Sequence, residues 1–418
     1  MKILAICSAI DLKFRYGCTP AWWQLFKGLY ECRVDLIVVP YRGRAIESPW
    51  WRTYENPCYI EGEVFDKARR LVRRSTSAGV KPTGDTWTDA IVRRLTNGWV
   101  RPRWKKHLLR IFEREQGIDA VVVFTVPVNH IQGLPSELRE QFQVPVLYYD
   151  GDVPASLPRF GGFASGFRIY QGADLSEYDG FICNSKGGAE ELERMGARKT
   201  YVLYWAADPD LFAPMETEQD RDVFFYGFGS EFREDWLHKM IVRPSKELPD
   251  RDFVIGGCGF DGLDLGRARV IGDVPFNLYR STCARSKINL NITRQAHASV
   301  YASSSARPFE LAAMGCCIVS NPVEGLEEWF EPEKEIFMVD DAQDVVELYR
   351  WLLTHDEERR SVGERARERV LREHTYSHRA QQLCQMIQEA KGGPMSSRHA
   401  TENTVAGSRR LFGHGMCS

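Results

Sequence analysis

No stretch of the 418-residue sequence approaches the roughly 20 consecutive apolar residues that span a bilayer, so no transmembrane helix is expected. No two of the eleven cysteines stand at CxxC spacing, and the nine histidines do not cluster with them, which argues against a structural zinc site. Scattered from Cys7 to Cys417 and odd in number, the cysteines read as reduced thiols used as small core residues. The net charge of −2 gives no global attraction to nucleic acid or membrane. The glycine-rich pieces GFGS (227–230) and GGCGFDG (256–262) lack GxGxxG spacing, and no Walker A lysine motif occurs, so neither phosphate-binding fingerprint is present. The first residues, MKILAICSA, imitate a secretion signal, but the apolar run is short and Asp11, Lys13 and Arg15 follow at once. It reads as a buried first strand, and the expected compartment is the cytoplasm.

What is present is a repeated pattern of short apolar runs. They fall at 2–7, 34–39, 119–126, 144–149, 180–183 and 200–205, separated by amphipathic stretches such as 20–31, 101–116 and 186–195. Continuous apolar strands alternating with helices predict parallel sheets covered on both faces. Residues 206–221 lack periodicity and are rich in proline and charge, which predicts a linker. The pattern then restarts, with strand-like runs at 222–226, 252–256, 287–292, 316–320 and 335–339 and helical patterns near 230–242, 275–284 and 308–314. Two more amphipathic helices follow at 342–354 and 356–373. The expected organisation is an N-terminal Rossmann-like domain (1–205), a linker (206–221), a second Rossmann-like domain (222–375), a helix (376–391) and a disordered tail (392–418).

The segment 287–330 carries the most chemistry. An apolar strand leads to Thr293, Arg294 and three serines, Ser303 to Ser305, before a helix expected to open at Pro308 with Glu310 in its first turn. Free amides at a helix start bind phosphate, and Arg294 or Arg307 adds charged donors. A glutamate one turn in can hold two ribose hydroxyls; equally, it can simply complement the helix dipole. On the N-terminal side, Asp150-Gly151-Asp152 follows the strand VPVLYY, where a catalytic or sugar-binding carboxylate would sit, or where aspartates would shape an ordinary turn. His130, after the strand ending at Val126, is a candidate base or sugar contact as well as a candidate structural histidine. Residues 67–110 are basic with Trp87, Trp99 and Trp104 interleaved, a pattern for an acidic acceptor, an anionic lipid surface or single-stranded nucleic acid, or for solvated helix faces.

The run RPFELAAMGCCIVSNPVEGLEEWF and its continuation through THDEERRSVGERARERVLREHTYSHR resembles the C-terminal half of the group-1 glycosyltransferases, closest to the subgroup named for spore-maturation proteins. YDGFICNSKGGAEELERMGARKTYVLYWAADPDLF resembles the strand, helix and crossover that close the family's first domain, so the likeness covers about residues 175–380. The resemblance implies a GT-B fold, two Rossmann-like domains whose parallel sheets face each other across a cleft. It implies transfer of a sugar from a nucleotide diphosphate sugar, such as a UDP-sugar, with no cofactor beyond that donor and no metal, and with a retaining outcome. Residue by residue, Glu310 matches the glutamate on the donor ribose, and Arg307 lies on the same helix. Ser304 and Ser305 match the loop at the diphosphate. Gly227 and Arg233 match the glycine turn and basic residue facing the phosphates, and Arg294, after Thr293, matches a polar residue beyond the central strand. The wider family carries a second glutamate eight positions before the ribose glutamate; here that position is Ala302, as it often is not glutamate in the subgroup either. Asp150 and Asp152 have DxD spacing but not the setting of a metal-dependent transferase. If the outcome is inversion instead, Asp150 or His130 is the expected base. The acceptor is expected to be a small molecule, a glycan or a polyanion. Two rival readings are a non-catalytic protein of the same fold and a modifier of nucleic acid or another polyanion.

Overall fold

The computed structural model describes residues 1–10, 21–63, 94, 96–164, 167–229 and 233–392. Most of the basic stretch 67–110, and the tail 392–418 apart from Gly392, lie outside these residues. In chain order the first strands are β1 (Lys2–Ala9), β2 (Asp35–Arg42), β3 (Arg52–Thr53), β4 (Ala120–Phe124), β5 (Val146–Asp150), β6 (Phe163–Ala164), β7 (Phe167–Arg168), β8 (Gly180–Cys183) and β9 (Thr200–Val202). All but β6 and β7, which form a separate antiparallel pair, make one parallel sheet in the order β3-β2-β1-β4-β5-β8-β9. A second parallel sheet contains β10 (Arg221–Phe228), β11 (Phe253–Cys258), β12 (Arg269–Gly272), β13 (Ser286–Asn291), β14 (Ile318–Ser320) and β15 (Phe337–Met338), in the order β12-β11-β10-β13-β14-β15.

Both faces of the inner part of each sheet are covered, which is why the inner strands are apolar along most of their length. In β1, Leu4 and Ile6 enter one core while Ile3, Ala5 and Cys7 enter the other. In β10, Phe224 and Tyr226 face one layer while Val223 and Phe225 face the opposite one. This is the period-two alternation of a strand, with neither face left to water.

The helix Tyr376–Ala390 returns to the first sheet. Its Tyr376, Ala380, Leu383 and Ile387 share a core with Leu25, Phe26 and Leu29 of the helix Ala21–Glu31. Thr375 caps it: the Thr375 hydroxyl accepts from the His378 amide and the His378 ring reaches back to the Thr375 amide. Ala207 and Thr375 form a parallel bridge, so the two chain crossings between the sheets run side by side.

Several local expectations shift. The helix expected at Pro308 begins at Ala306, and no acidic residue lies in its first turn, so Glu310 sits one step deeper than the sequence suggested. Proline is tolerated within the first turn because amides there have no intrahelical partner. The pattern near 230–242 becomes the helix Glu234–Leu237, one π-turn His238–Val242 and the helix Arg243–Glu247. The edge strands β3 and β12 escaped the apolar pattern because an edge is open to solvent; Val270 and Ile271 of β12 are exposed. Among the described residues no helix is long and apolar enough to cross a membrane.

Candidate active site

In both sheets the strand order reverses direction once, between β1 and β4 in the first and between β10 and β13 in the second. Ligands of open parallel sheets bind beyond the carboxyl ends of the strands at such a switch. In the second sheet that place is marked by two arginines. Arg233 donates from Nε to the Ile292 carbonyl (3.0 Å) and from Nη1 to the Phe228 carbonyl (3.3 Å), spanning the ends of β10 and β13. Arg294 lies three residues beyond the end of β13 and forms an ion pair with Asp152, which lies beyond β5 of the first sheet. The loop between is fixed from below: the Thr293 amide donates to Asn321 Oδ1 (2.7 Å), and Asn291 Nδ2 donates to Ser320 Oγ (2.9 Å) and Thr293 Oγ1 (3.2 Å). Beside Arg233, the ends of β10 and β11 approach so closely that a Cβ on Gly257, at φ +111°, would lie 1.8 Å from the Gly227 carbonyl oxygen. Only glycine fits there.

The helix Ala306–Ala313 brings the other donor-side candidates. Ser305 stands at its N-cap without a side-chain cap bond. Ser304 is fully enclosed and works between the sheets: its amide donates to the Asn184 carbonyl (2.9 Å) and its Oγ accepts from the Trp205 amide (3.0 Å). That geometry gives the Ser304 hydroxyl a domain-joining contact, so among the serines expected at a diphosphate it is Ser305 that stands at the helix start. Arg307 lies against the rings of Tyr226 and Tyr279 and donates to the Tyr279 hydroxyl at 3.3 Å. Glu310 is buried. Burial raises the Tyr376 and Tyr279 phenols, and the Glu310 carboxylate near them adds to that rise.

Across the cleft, Asp150 ends β5 and is completely buried. Its carboxylate accepts from Ser156 Oγ (2.5 Å), the Tyr170 hydroxyl (2.7 Å) and the Asp152 amide (2.9 Å). Burial nevertheless pushes its pKa up to about 6, against the pull of those donors. His130 ends the short turn Val128–His130, with Nδ1 2.8 Å from the Tyr41 hydroxyl. Burial pulls its pKa down to about 4, so the ring is neutral at pH 7. Asp150 and Asp152 are held by different partners, one by hydroxyls beneath the loop and one by Arg294 across the cleft.

Two residues of this region were not singled out in the sequence for the roles they hold. Asp152 was read with Asp150 as a strand-end carboxylate or turn and as the second member of a DxD spacing, yet it bridges the sheets. His297, in the short helix Gln295–Ala298, is buried with Nε2 3.5 Å from Arg294 Nη2, and its Nδ1 has no partner among the described residues. No motif announces either, because both depend on what faces them. In the described part of the basic stretch, Arg101 and Lys105 pair with Glu137 and Arg103 pairs with Glu61, while Trp104 is core and stacks on Tyr41. Those residues form an ordinary paired helix face.

The sucrose-phosphate synthase of Thermosynechococcus elongatus superposes over 93% of this chain and 98% of its own, with a TM-score of 0.62 at 15% identity. The fold is GT-B. HepE of Anabaena, solved in complex with UDP-glucose, matches over 93% of this chain and 100% of its own, with a TM-score of 0.58 at 12% identity. An E. coli structure described as trehalose-6-phosphate bound with UDP-2-fluoro glucose matches over 94% and 99%, with a TM-score of 0.56 at 10% identity. At such identities the likeness is one of GT-B architecture. In sequence, residues 233–385 match the family described as glycosyl transferase-like, a stretch that runs from Arg233 through Glu310 into the returning helix. No curated protein matches the chain.

Proposed function

We propose that this chain transfers a glycosyl group from a nucleotide diphosphate sugar, with a UDP-sugar the first donor to test, to a small-molecule, glycan or polyanionic acceptor. The observation that carries the reading is the gathering of Arg233 and Arg294 at the switch crevice of the second sheet, facing the first sheet across the cleft. The leaving diphosphate gains negative charge in the transition state, and preset guanidinium groups together with the first amides of the helix Ala306–Ala313 stabilise it. Glu310, on that helix, accepts from the donor ribose. Neighbours of the same fold were solved with UDP-glucose or UDP-2-fluoro glucose, which supports the choice of uridine donors.

In this reading catalysis needs no metal and no further cofactor, and the outcome is retention, with the donor phosphate accepting the acceptor proton. The saturated, buried Asp150 carboxylate and the tyrosine-bonded His130 support that choice over a dedicated base. Were transfer to invert, Asp150 or His130 would have to shed these partners first. The nine cysteines among the described residues form no disulfide, which favours a reducing compartment, the cytoplasm.

The test is a thermal-shift screen with UDP, GDP, ADP, CMP and TDP and their sugars. A ligand at one hundred times its Kd stabilises the folded state by about 2.7 kcal/mol. We expect a shift with one nucleotide class that disappears in Glu310→Ala. A well-folded protein that responds to none would remove the donor site.

A further inference from the structure

The ion pair between Asp152 and Arg294 is formed by residues from opposite sheets, each just beyond the carboxyl end of its strand. Both side chains keep partial solvent access, 31% for Asp152 and 24% for Arg294, so the pair can be reached by a soluble anion. It is backed by His297, whose Nε2 lies 3.8 Å from Asp152 Oδ1 and whose ring is buried without a partner for Nδ1 among the described residues. Burial, with the charges of Arg294 and Arg233 beside it, holds that imidazole neutral, so it adds no positive charge. The cluster brings the guanidinium groups of Arg233 and Arg294 together with the Asp152 carboxylate, contributed by the other domain.

Resting on the donor-site reading above, we propose that Asp152 belongs to the donor site as an internal anion: it holds Arg294 in the ligand-free protein and gives it up to the diphosphate of the donor. A diphosphate brings more negative charge and more acceptor oxygens than a carboxylate, and guanidinium forks suit both. Binding of the donor then exchanges one anion for another on Arg294. Nucleotide affinity is lowered by whatever the Asp152 contact contributes, since the competent state must first be released. The same exchange unfastens one contact between the domains, so donor occupancy and the interdomain angle are coupled through a single arginine. Asp150 prepares the geometry by accepting from the Asp152 amide, which sets the loop that carries the competing carboxylate.

The experiment is isothermal titration with UDP on the full chain, comparing wild type, Asp152→Asn, Asp152→Ser, Arg294→Gln and Glu310→Ala, with small-angle scattering of each ligand-free protein. We expect both Asp152 variants to bind UDP about three- to tenfold more tightly, corresponding to roughly 0.6–1.4 kcal/mol. The ratio should shrink as salt rises, because an exposed carboxylate competes less when screened. Arg294→Gln should lose UDP binding, and the Asp152 and Arg294 variants should share a wider ligand-free particle. UDP binding that is lost in Glu310→Ala but unchanged or weaker in folded Asp152 variants overturns the exchange and leaves the donor site standing. Absence of UDP binding in wild type and in both Asp152 variants overturns the exchange and the uridine donor together.

Discussion

Three donors converge on the Asp150 carboxylate, from Ser156, Tyr170 and the Asp152 amide, and burial still lifts its pKa from 3.8 to about 6. The folded protein therefore holds more protons than the unfolded chain between those two values, so this group makes stability fall as pH rises through the window. The full cost, present above about pH 6, is at most about 3 kcal/mol. Asp150→Asn removes the titration. Chemical denaturation between pH 7 and 4.5 should show wild type gaining on Asp150→Asn as the solution is acidified, while a pH-independent difference between the two would refute the raised pKa. His130 contributes the opposite slope, since its folded pKa of about 4 lies below its ordinary 6.5 and its stabilising effect is lost on acidification; comparing variants at Asp150 alone cancels it. Sequence reasoning reached Asp150 and His130 as polar residues at strand ends. It could not tell a satisfied carboxylate from a reactive one, because the satisfying hydroxyls of Ser156 and Tyr170 come from later in the chain.

Among the elements, the helices Ala21–Glu31 and Tyr376–Ala390 meet in a close backbone contact. A Cβ on Gly28 would stand 2.6 Å from the Tyr376 carbonyl oxygen, and backbone lies on both sides of that contact, so neither partner can swing away. Gly28→Ala should cost about 1–3 kcal/mol as an overpacked contact, read as a lower urea midpoint with an unchanged m-value. An unaltered midpoint would show that the helices separate freely. Helical periodicity announced both helices, because each buries one stripe. It said nothing of their pairing, which joins residues near the two ends of the described chain. The helix carrying Glu310 was legible in kind and displaced in register: Pro308 looked like the first residue, but a first-turn proline is compatible with a start at Ala306.

At the scale of the molecule, the two crossings between the sheets are fastened by Arg379. Its buried guanidinium donates to the carbonyls of Tyr204 (2.7 Å), Trp205 (3.1 Å) and Glu373 (3.3 Å), and its Nη2 lies 2.7 Å from His374 Nδ1. Burial lowers its pKa to about 10, so it stays charged at neutral pH. Arg379→Met fills much of the volume but leaves these acceptors unsatisfied. We expect a loss of about 3 kcal/mol or more, with faster proteolytic cleavage between 203 and 221 under native conditions. A variant as stable and as resistant as wild type would show that the crossings hold without it.

The sequence by itself determined that two parallel α/β sheets follow one another. A strand buried on both faces must be apolar at every position, and that signal survives without any knowledge of neighbours. It also placed Arg294 beyond a strand and Glu310 near a helix start, since apolar runs stop where the chain leaves the core; Arg233 was pointed to only by the family resemblance. Only the tertiary structure decided which charges meet. Asp152 and Arg294 are 142 residues apart in sequence, and their pairing exists because two separate sheets turn their carboxyl ends toward one cleft. Attraction between two side chains falls with distance and with the water between them, and the fold sets both.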